Sequence, residues 1–269
     1  MNLSDSGTAD GDIVIEAENE QGAVLNGFFH GRNVSHITVD GFDISNPEPE
    51  NPEIAQGVVF YESHNITVSD NVVHDSFGGG IAFNQSDSTL IEGNTVNGNG
   101  LLHPDAHSGI SVYQPQQRED ADGEYGVIIR NNISFDNASL LVNQEVGTIT
   151  DGSGIVLDDF ENKQQPTGNG VVYDRQALVE SNVTYDNGGH GIHVFQSDGA
   201  VIRNNTAFGN GEVLGHGAQL NLNRAENVSL FNNIASAPEG ENAFEATDTS
   251  NFNLRHALNA SSSPPTSLH

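Results

Sequence analysis

The sequence predicts an all-β, single-domain right-handed parallel β-helix with loop insertions on its middle coils. Three observations predict it: a recurring pair of phrases, their constant spacing, and strand-type alternation inside them. One phrase is a β-branched run closing on asparagine, at Asn71, Asn94, Asn132, Asn182, Asn205 and Asn233. The other opens on glycine, at Gly57, Gly80, Gly109, Gly154 and Gly191. Gly57 to Gly80, Asn71 to Asn94 and Asn182 to Asn205 are each 23 residues. Within a coil, Gly57 to Asn71, Gly80 to Asn94 and Gly191 to Asn205 are each 14. Leucine-rich repeats share this length but need a leucine skeleton that the chain lacks.

The strand elements follow from the glycine phrase. Its +1 and +3 positions are apolar: Ile81 and Phe83, Ile110 and Val112, Ile155 and Leu157, Ile192 and Val194. Period-two alternation turns those side chains inward. The turns follow from asparagine, which tolerates left-handed backbone angles and bonds to nearby main chain. Stacked on successive coils, the amides form an internal ladder. Asn-X-Ser/Thr triplets such as Asn182-Val183-Thr184 are thereby structural and weak as glycosylation signals.

Breaks in the spacing mark loops that leave the solenoid. Gly109 to Asn132 is 23 instead of 14, which puts an insertion at residues 114–124. Gly154 to Asn182 is 28, which puts a longer one at 161–175. Further additions fall at 101–108 and 138–153, also on the middle coils. Loops clustered on neighbouring coils of a rigid scaffold build binding sites. Residues 11–25 read as a first strand or partial coil. The solenoid is expected to span 1–241, with 242–269 a cap and a flexible tail closing in Ser-Ser-Ser-Pro-Pro-Thr-Ser before Leu268 and His269.

Composition narrows the partners. Acidic residues number 37 against 8 basic ones, for a net charge of −29, and Lys163 is the only lysine. Nucleic-acid binding is excluded, because phosphate backbones demand a positive surface. An anionic membrane is disfavoured for the same reason. No apolar run is long enough for a membrane-spanning helix, so no membrane insertion is expected. The charge itself suits a halophilic surface kept soluble by carboxylates. Cysteine is absent, so neither disulfides nor thiolate metal sites contribute. An extracellular, secreted setting fits. The opening residues carry neither a basic region nor an apolar core, so any signal peptide lies outside this chain.

The outward positions of the glycine phrase carry the chemistry. The +2 column reads Val59, Ala82, Ser111, Val156, His193, and the +4 column reads Tyr61, Asn84, Tyr113, Asp158, Phe195. Coils stack at about 4.8 Å, so Tyr113, Asp158 and Phe195 should form one row. Asp105, His107, His190 and His216 lie just upstream of that face. Rings, carboxylates and imidazoles in one groove suit a sugar chain. Arg130 and Arg203 share a column with Glu92 and Glu180 and should form surface pairs. Arg118, Lys163 and Arg175 remain, all in or beside inserted loops. Asp151, Asp158, Asp159 and Glu161 surround the Gly154 phrase and could supply oxygen ligands to calcium, although their spacing matches no EF-hand loop.

The stretch Asn182-Val-Thr-Tyr-Asp-Asn-Gly-Gly-His190-Gly-Ile-His-Val, followed by Val201-Ile-Arg-Asn-Asn-Thr-Ala-Phe-Gly-Asn-Gly211, resembles the catalytic module of mannuronan C-5 epimerases. More loosely it is similar to β-helical lyases of acidic polysaccharides. The epimerases carry an Asp-Pro-His element two coils before an Arg-His-Gly element. Asp105-Ala106-His107 and Gly189-His190-Gly191 occupy those relative coils, while Leu102 and Gly189 stand where the family has tyrosine and arginine. The resemblance implies an acidic polysaccharide such as alginate as partner, and proton abstraction at C5 leading to epimerisation or β-elimination. It implies Asp105 in the catalytic group and His107 or His190 as base, with Tyr113 as acid. Arg118, Lys163, Arg175 or calcium would hold the substrate carboxylate, beside His193, Asp158 and Phe195 as binding residues. A glycoside hydrolase using Asp105 with Asp158 stays open, as does a non-catalytic carbohydrate-binding or adhesive solenoid.

Overall fold

A computed structural model describes residues 1–49, 54–105, 107–118, 121, 123–143, 146–215, 217–238, 242–255 and 258–259. The chain is a right-handed parallel β-helix with three nine-stranded sheets, each coil giving one strand to each sheet in turn. The first sheet holds the glycine phrases, among them Val58–Tyr61, Ile81–Asn84, Ile110–Tyr113, Ile155–Asp158 and Ile192–Phe195. The second holds the β-branched runs, such as Asp87–Glu92 and Tyr125–Arg130, and the third holds short strands such as Thr95–Asn97 and Ile133–Phe135. The pairings between these strands are parallel and in register from coil to coil, apart from a bulge between Tyr125 and Val127 where Tyr125–Arg130 meets the next coil.

The core forms as the alternation dictates. Ile81, Phe83, Ile110, Val112, Ile155, Leu157 and Val194 are fully buried, and the Phe60 and Phe83 rings stack at 5.5 Å. Two corners are held by amide ladders. At the corner between the second and third sheets, Asn71 donates from Nδ2 to Asn94 Oδ1 at 3.1 Å. The series continues through Asn132, Asn182, Asn205 and Asn233 at 3.0 Å per step. A second ladder climbs the corner between the third sheet and the first. There Asn99, Asn137, Asn187 and Asn210 bond in turn at 2.8–2.9 Å and end on Gln219 Oε1. Nearly every donor and acceptor of these buried amides is used, which is what burial of a polar group requires.

The stack is longer than the repeat suggests. Asn2–Leu3, Ile13–Glu16 and Ala23–Asn26 make a complete first coil. At the other end, Asn242–Thr247, Asn253–Arg255 and Leu258–Asn259 add a ninth strand to each sheet. The expected boundary at 242 is therefore corrected: Phe244 and Ala246 pair with Leu220 and Leu222 and extend the coil stack. Residues 260–269, to which the expected tail extends, lie outside the described residues. Segments without strands run between Tyr113 and Tyr125 and between Asp158 and Gln176, where the insertions were expected. The described residues of 46–57, ahead of Val58–Tyr61, hold no strand either, so the added loops are not confined to the middle coils.

The Glu92, Arg130, Glu180, Arg203 column forms two surface pairs, Arg130 with Glu92 and Arg203 with Glu180, both at 2.7 Å. Their energetic weight differs sharply from that of the ladders. Replacing Asn132 by alanine removes the side-chain acceptor of the buried Asn94 backbone N–H, one of the acceptors of Asn94 Nδ2 and the amide donor to the Ile91 carbonyl, and should cost about 3 kcal/mol in urea unfolding. Arg203→Ala should cost no more than about 1 kcal/mol. Equal losses for the two variants would contradict the ladder as the stabilising element.

Candidate active site on the first sheet

Strand register brings the expected row together. Tyr113 pairs with Asp158, and Asp158 pairs with Phe195. Ser111, Val156 and His193 form the neighbouring outward column. The 159–175 segment folds back along this row. Its Gln164 donates from Nε2 to Asp158 Oδ1 at 2.7 Å, and its Thr167 hydroxyl lies 3.4 Å from the Tyr113 hydroxyl. Burial, followed by the nearby Asp151 carboxyl, pushes Asp158 up to about 8. Burial also raises Asp151. At neutral pH the carboxyl at the middle of the row is therefore uncharged. Burial raises Tyr113 as well, so its phenol keeps its proton.

The histidines divide by role. His190 Nδ1 accepts the backbone N–H of Ala218 at 2.9 Å. Ser108 Oγ and Ser153 Oγ accept N–H groups in the same way from Ser153 and His190, both at 3.2 Å, so His190 continues a structural series. With Nδ1 occupied as an acceptor, the neutral His190 ring carries its proton on Nε2. His193 sits 4.6 Å from His190 and 5.7 Å from Phe195 between ring centroids. Its Nε2 is buried without a hydrogen-bond partner among the described residues. Burial and then His190 hold it well below the usual histidine range, so this imidazole is neutral.

His107 shares a column with Gly152 and Gly189, two coils below and one residue out of step with His190. Its ring packs on His103 at 4.4 Å, and burial pushes it down to about 3. His216 lies outside the described residues. The adjacent imidazole pair of the face is thus His190 with His193.

Other expected residues stand elsewhere. Asp105 lies on an exposed turn, its side chain 82% accessible, and its N–H donates to His103 Nδ1. Arg175 is buried and bonds Asp87 at 2.7 Å, Ser88 Oγ at 2.9 Å and the Tyr125 carbonyl at 2.8 Å. It staples the inserted segment to the solenoid and cannot reach a sugar on the first sheet, which corrects its assignment as a substrate cation. Lys163 pairs with Glu161 at 2.6 Å, and Arg118 lies towards the second sheet.

The expected calcium set, Asp151, Asp158, Asp159 and Glu161, finds no support in the geometry. Among the described residues no three His, Asp or Glu side chains converge in metal-holding geometry. Of the four proposed ligands, Asp159 is buried, and its oxygens accept Gln114 Nε2 and the N–H groups of Lys163 and Gln164. Glu161 is spent on Lys163. The donor set does not fit the ion.

Two participants escaped the sequence. Arg224 holds its guanidinium 5.9 Å from the Phe195 ring centroid, at the exposed edge of the row. Gln219 replaces the phrase-opening glycine of its coil, so that coil was never aligned with the others. Asp151 acts electrostatically on Asp158 from seven residues away in sequence, along a stretch where Asp151 and Gly152 both take positive φ.

Comparison with known proteins places this geometry in context. No curated protein sequence matches the chain. Among solved structures, a double mutant of the periplasmic alginate epimerase AlgG superposes with a TM-score of 0.54 at 14% identity, covering 96% of this chain and 77% of that one. Pectate lyase Pel9A superposes at 0.59 and 14% identity, covering 99% and 68%. A mutant of the PL6 family alginate lyase AlyGC gives 0.51 and 16% identity, covering 86% of this chain and 30% of that one. At these identities the likeness is one of fold. Residues 9–172 match the family described as right handed beta helix region, and the chain belongs to that family.

Proposed function

We propose that the chain acts on an acidic polysaccharide, a uronic-acid polymer such as alginate, by removing the proton at C5, with epimerisation or β-elimination as the outcome. The observation that carries this is an uncharged carboxyl, Asp158, on the coil next to a neutral imidazole, His193, in adjacent outward-facing columns of the first sheet. A uronate C5–H resists abstraction because the adjacent carboxylate is already negative. A hydrogen-bond donor on that carboxylate lowers the barrier by spreading the developing charge.

Asp158 suits the donor role, since Gln164 engages Oδ1 and Oδ2 is left to hold the proton. Arg224 adds positive charge at the end of the row. His193 suits the base, with His107 as the alternative two coils away, and the Tyr113 phenol suits the acid. In elimination Tyr113 protonates the departing O4; in epimerisation it returns a proton to C5 from the opposite face. The neighbours' names support the substrate class: an alginate epimerase, a pectate lyase and an alginate lyase. AlgG is named as periplasmic, and a polysaccharide substrate would put this chain outside the cytoplasm as well.

Asp151 beside Asp158 favours a second reading, glycoside hydrolysis. Two neighbouring carboxyls can divide the acid and base roles of that chemistry between them. This pair replaces Asp105 with Asp158, because Asp105 is solvent-exposed.

Incubation with alginate and pectate separates the outcomes. Ultraviolet absorbance of a 4,5-unsaturated end marks elimination, and proton NMR of unshortened polymer marks epimerisation. Shortened chains with saturated ends would establish hydrolysis and overturn C5 chemistry. His193→Ala should lower turnover by about 10²- to 10⁴-fold while the fold persists; full turnover would remove it as the base.

Activity should fall as pH rises through about 8, where Asp158 loses its proton, and Asp158→Asn should abolish that limb. Stability follows the same group. The unfolded carboxyl ionises near 3.9, whereas the folded one keeps its proton to about 8, so wild-type stability declines with rising pH between those values. The Tm of Asp158→Asn should therefore gain on wild type from pH 4 to pH 8. A constant difference would contradict the protonated carboxyl.

A further inference from the structure

A groove of about 430 Å³ lies on the outer face of the second sheet, around the corner from the row just described. We propose that it is a second, non-catalytic binding site for a carboxylate-bearing sugar segment. The proposal rests on the acidic-polysaccharide reading for its ligand class and goes beyond it in location and role. The volume falls in the range of sites for small ligands.

The floor is apolar. Leu90 and Ile128 stand in one outward column, between Thr67 below and Leu178 above, and both line the groove. An outward-facing sheet position is ordinarily polar, and two adjacent aliphatic side chains there suit the C–H face of a pyranose. Tyr125 contributes an aromatic edge.

Polar groups rim that floor. The His36 and His64 rings lie 5.9 Å apart, and the Asn65 amide reaches both, at 3.2 Å and 3.3 Å. Such groups match sugar hydroxyls. His36 Nδ1 also faces Asp12 at 3.3 Å, which leaves that side of the rim unfavourable for a carboxylate. The carboxylate belongs at the opposite side, where Arg118 lines the groove.

Arg118 is set apart from the other cations. Of the eight Lys and Arg residues, Arg32, Arg130, Lys163, Arg175 and Arg203 are paired with carboxylates. The exposed Arg118 side chain makes no ion pair or hydrogen bond with any described residue; Glu119, Asp120 and Asp122 lie outside the described residues. Its backbone is nonetheless fixed, because its N–H donates to the buried Asp87 Oδ2 at 3.0 Å. A pinned main chain presenting a guanidinium that no described carboxylate pairs with is complementary to an anionic ligand. A polymer held here would be tethered beside the first-sheet row without occupying it.

Isothermal titration of the full chain with a mannuronate trisaccharide, and with neutral mannotriose as control, tests the site. Wild type should show two classes of uronate binding and no matching response to mannotriose. Arg118→Ala should weaken one class at least about tenfold, the scale of one lost charge-assisted hydrogen bond, and leave kcat on the trisaccharide unchanged. Leu90→Glu, which puts a carboxylate on the floor, should remove the same class. Superimposable wild-type and Arg118→Ala isotherms with turnover intact would overturn the second site alone. Equal binding of mannotriose would overturn its anion selectivity and hence the proposal. Absence of both uronate binding and uronate turnover would overturn the functional reading, and this site with it.

Discussion

The structure depends on buried amides stacked from coil to coil at two corners of the solenoid. In both ladders an asparagine donates its backbone N–H and its side-chain Nδ2 to the same carbonyl oxygen of the next coil, as Asn94 does to Asn132. That double donation fixes the turn and the height between coils together. Coil length is then free to vary anywhere else. Gly109 to Gly154 is 45 residues and Gly154 to Gly191 is 37, yet Tyr113, Asp158 and Phe195 still fall in register. The ladders let the chain make large excursions without losing the row on which its chemistry is proposed to stand.

Charge is distributed in the opposite sense to that row. The surface is crowded with carboxylates, where water and salt screen them. On the first-sheet face around the row, burial raises Asp158 and lowers His193 and His107, in each case towards neutrality. A neutral face within an acidic envelope admits an anionic polymer at lower cost than the net charge implies.

The solenoid was legible because its rules are local. Glycine, two inward apolar positions and a corner asparagine repeat within one coil, and they settle sheet membership and the facing of Tyr113, Asp158 and Phe195. The second asparagine ladder keeps a fixed offset of five residues from the first, from Asn94 to Asn99, Asn132 to Asn137, Asn182 to Asn187 and Asn205 to Asn210, so its signal was present in the spacing. The last coil went unseen because Phe244 and Ala246 keep the inward alternation without the glycine that announces it. The site was legible in its columns and illegible in its pairings. Whether Arg175 faces a ligand or a buried Asp87 depends on how a loop of some fifteen residues closes, and nothing in the repeat encodes that. His190 looked like a base by motif. Its Nδ1 turned out to continue the role of Ser108 and Ser153, a substitution visible only once the coils are superposed.

The carboxylate of Asp87 joins two insertions that belong to different coils. One oxygen accepts Arg118 N–H from the first; the other accepts the Tyr173 hydroxyl and the Arg175 guanidinium from the second. A Cβ at Gly126 would overlap the Tyr173 hydroxyl, so the strand beneath has surrendered its side chain to the same junction. The two loops are consequently tied to each other through one buried carboxylate. Sequence drift in either is constrained by a residue in neither, so lengthening one loop demands that the other keep its grip. Variation in this part of the molecule should arrive as paired changes across some fifty positions, with Asp87 and Gly126 held still between them.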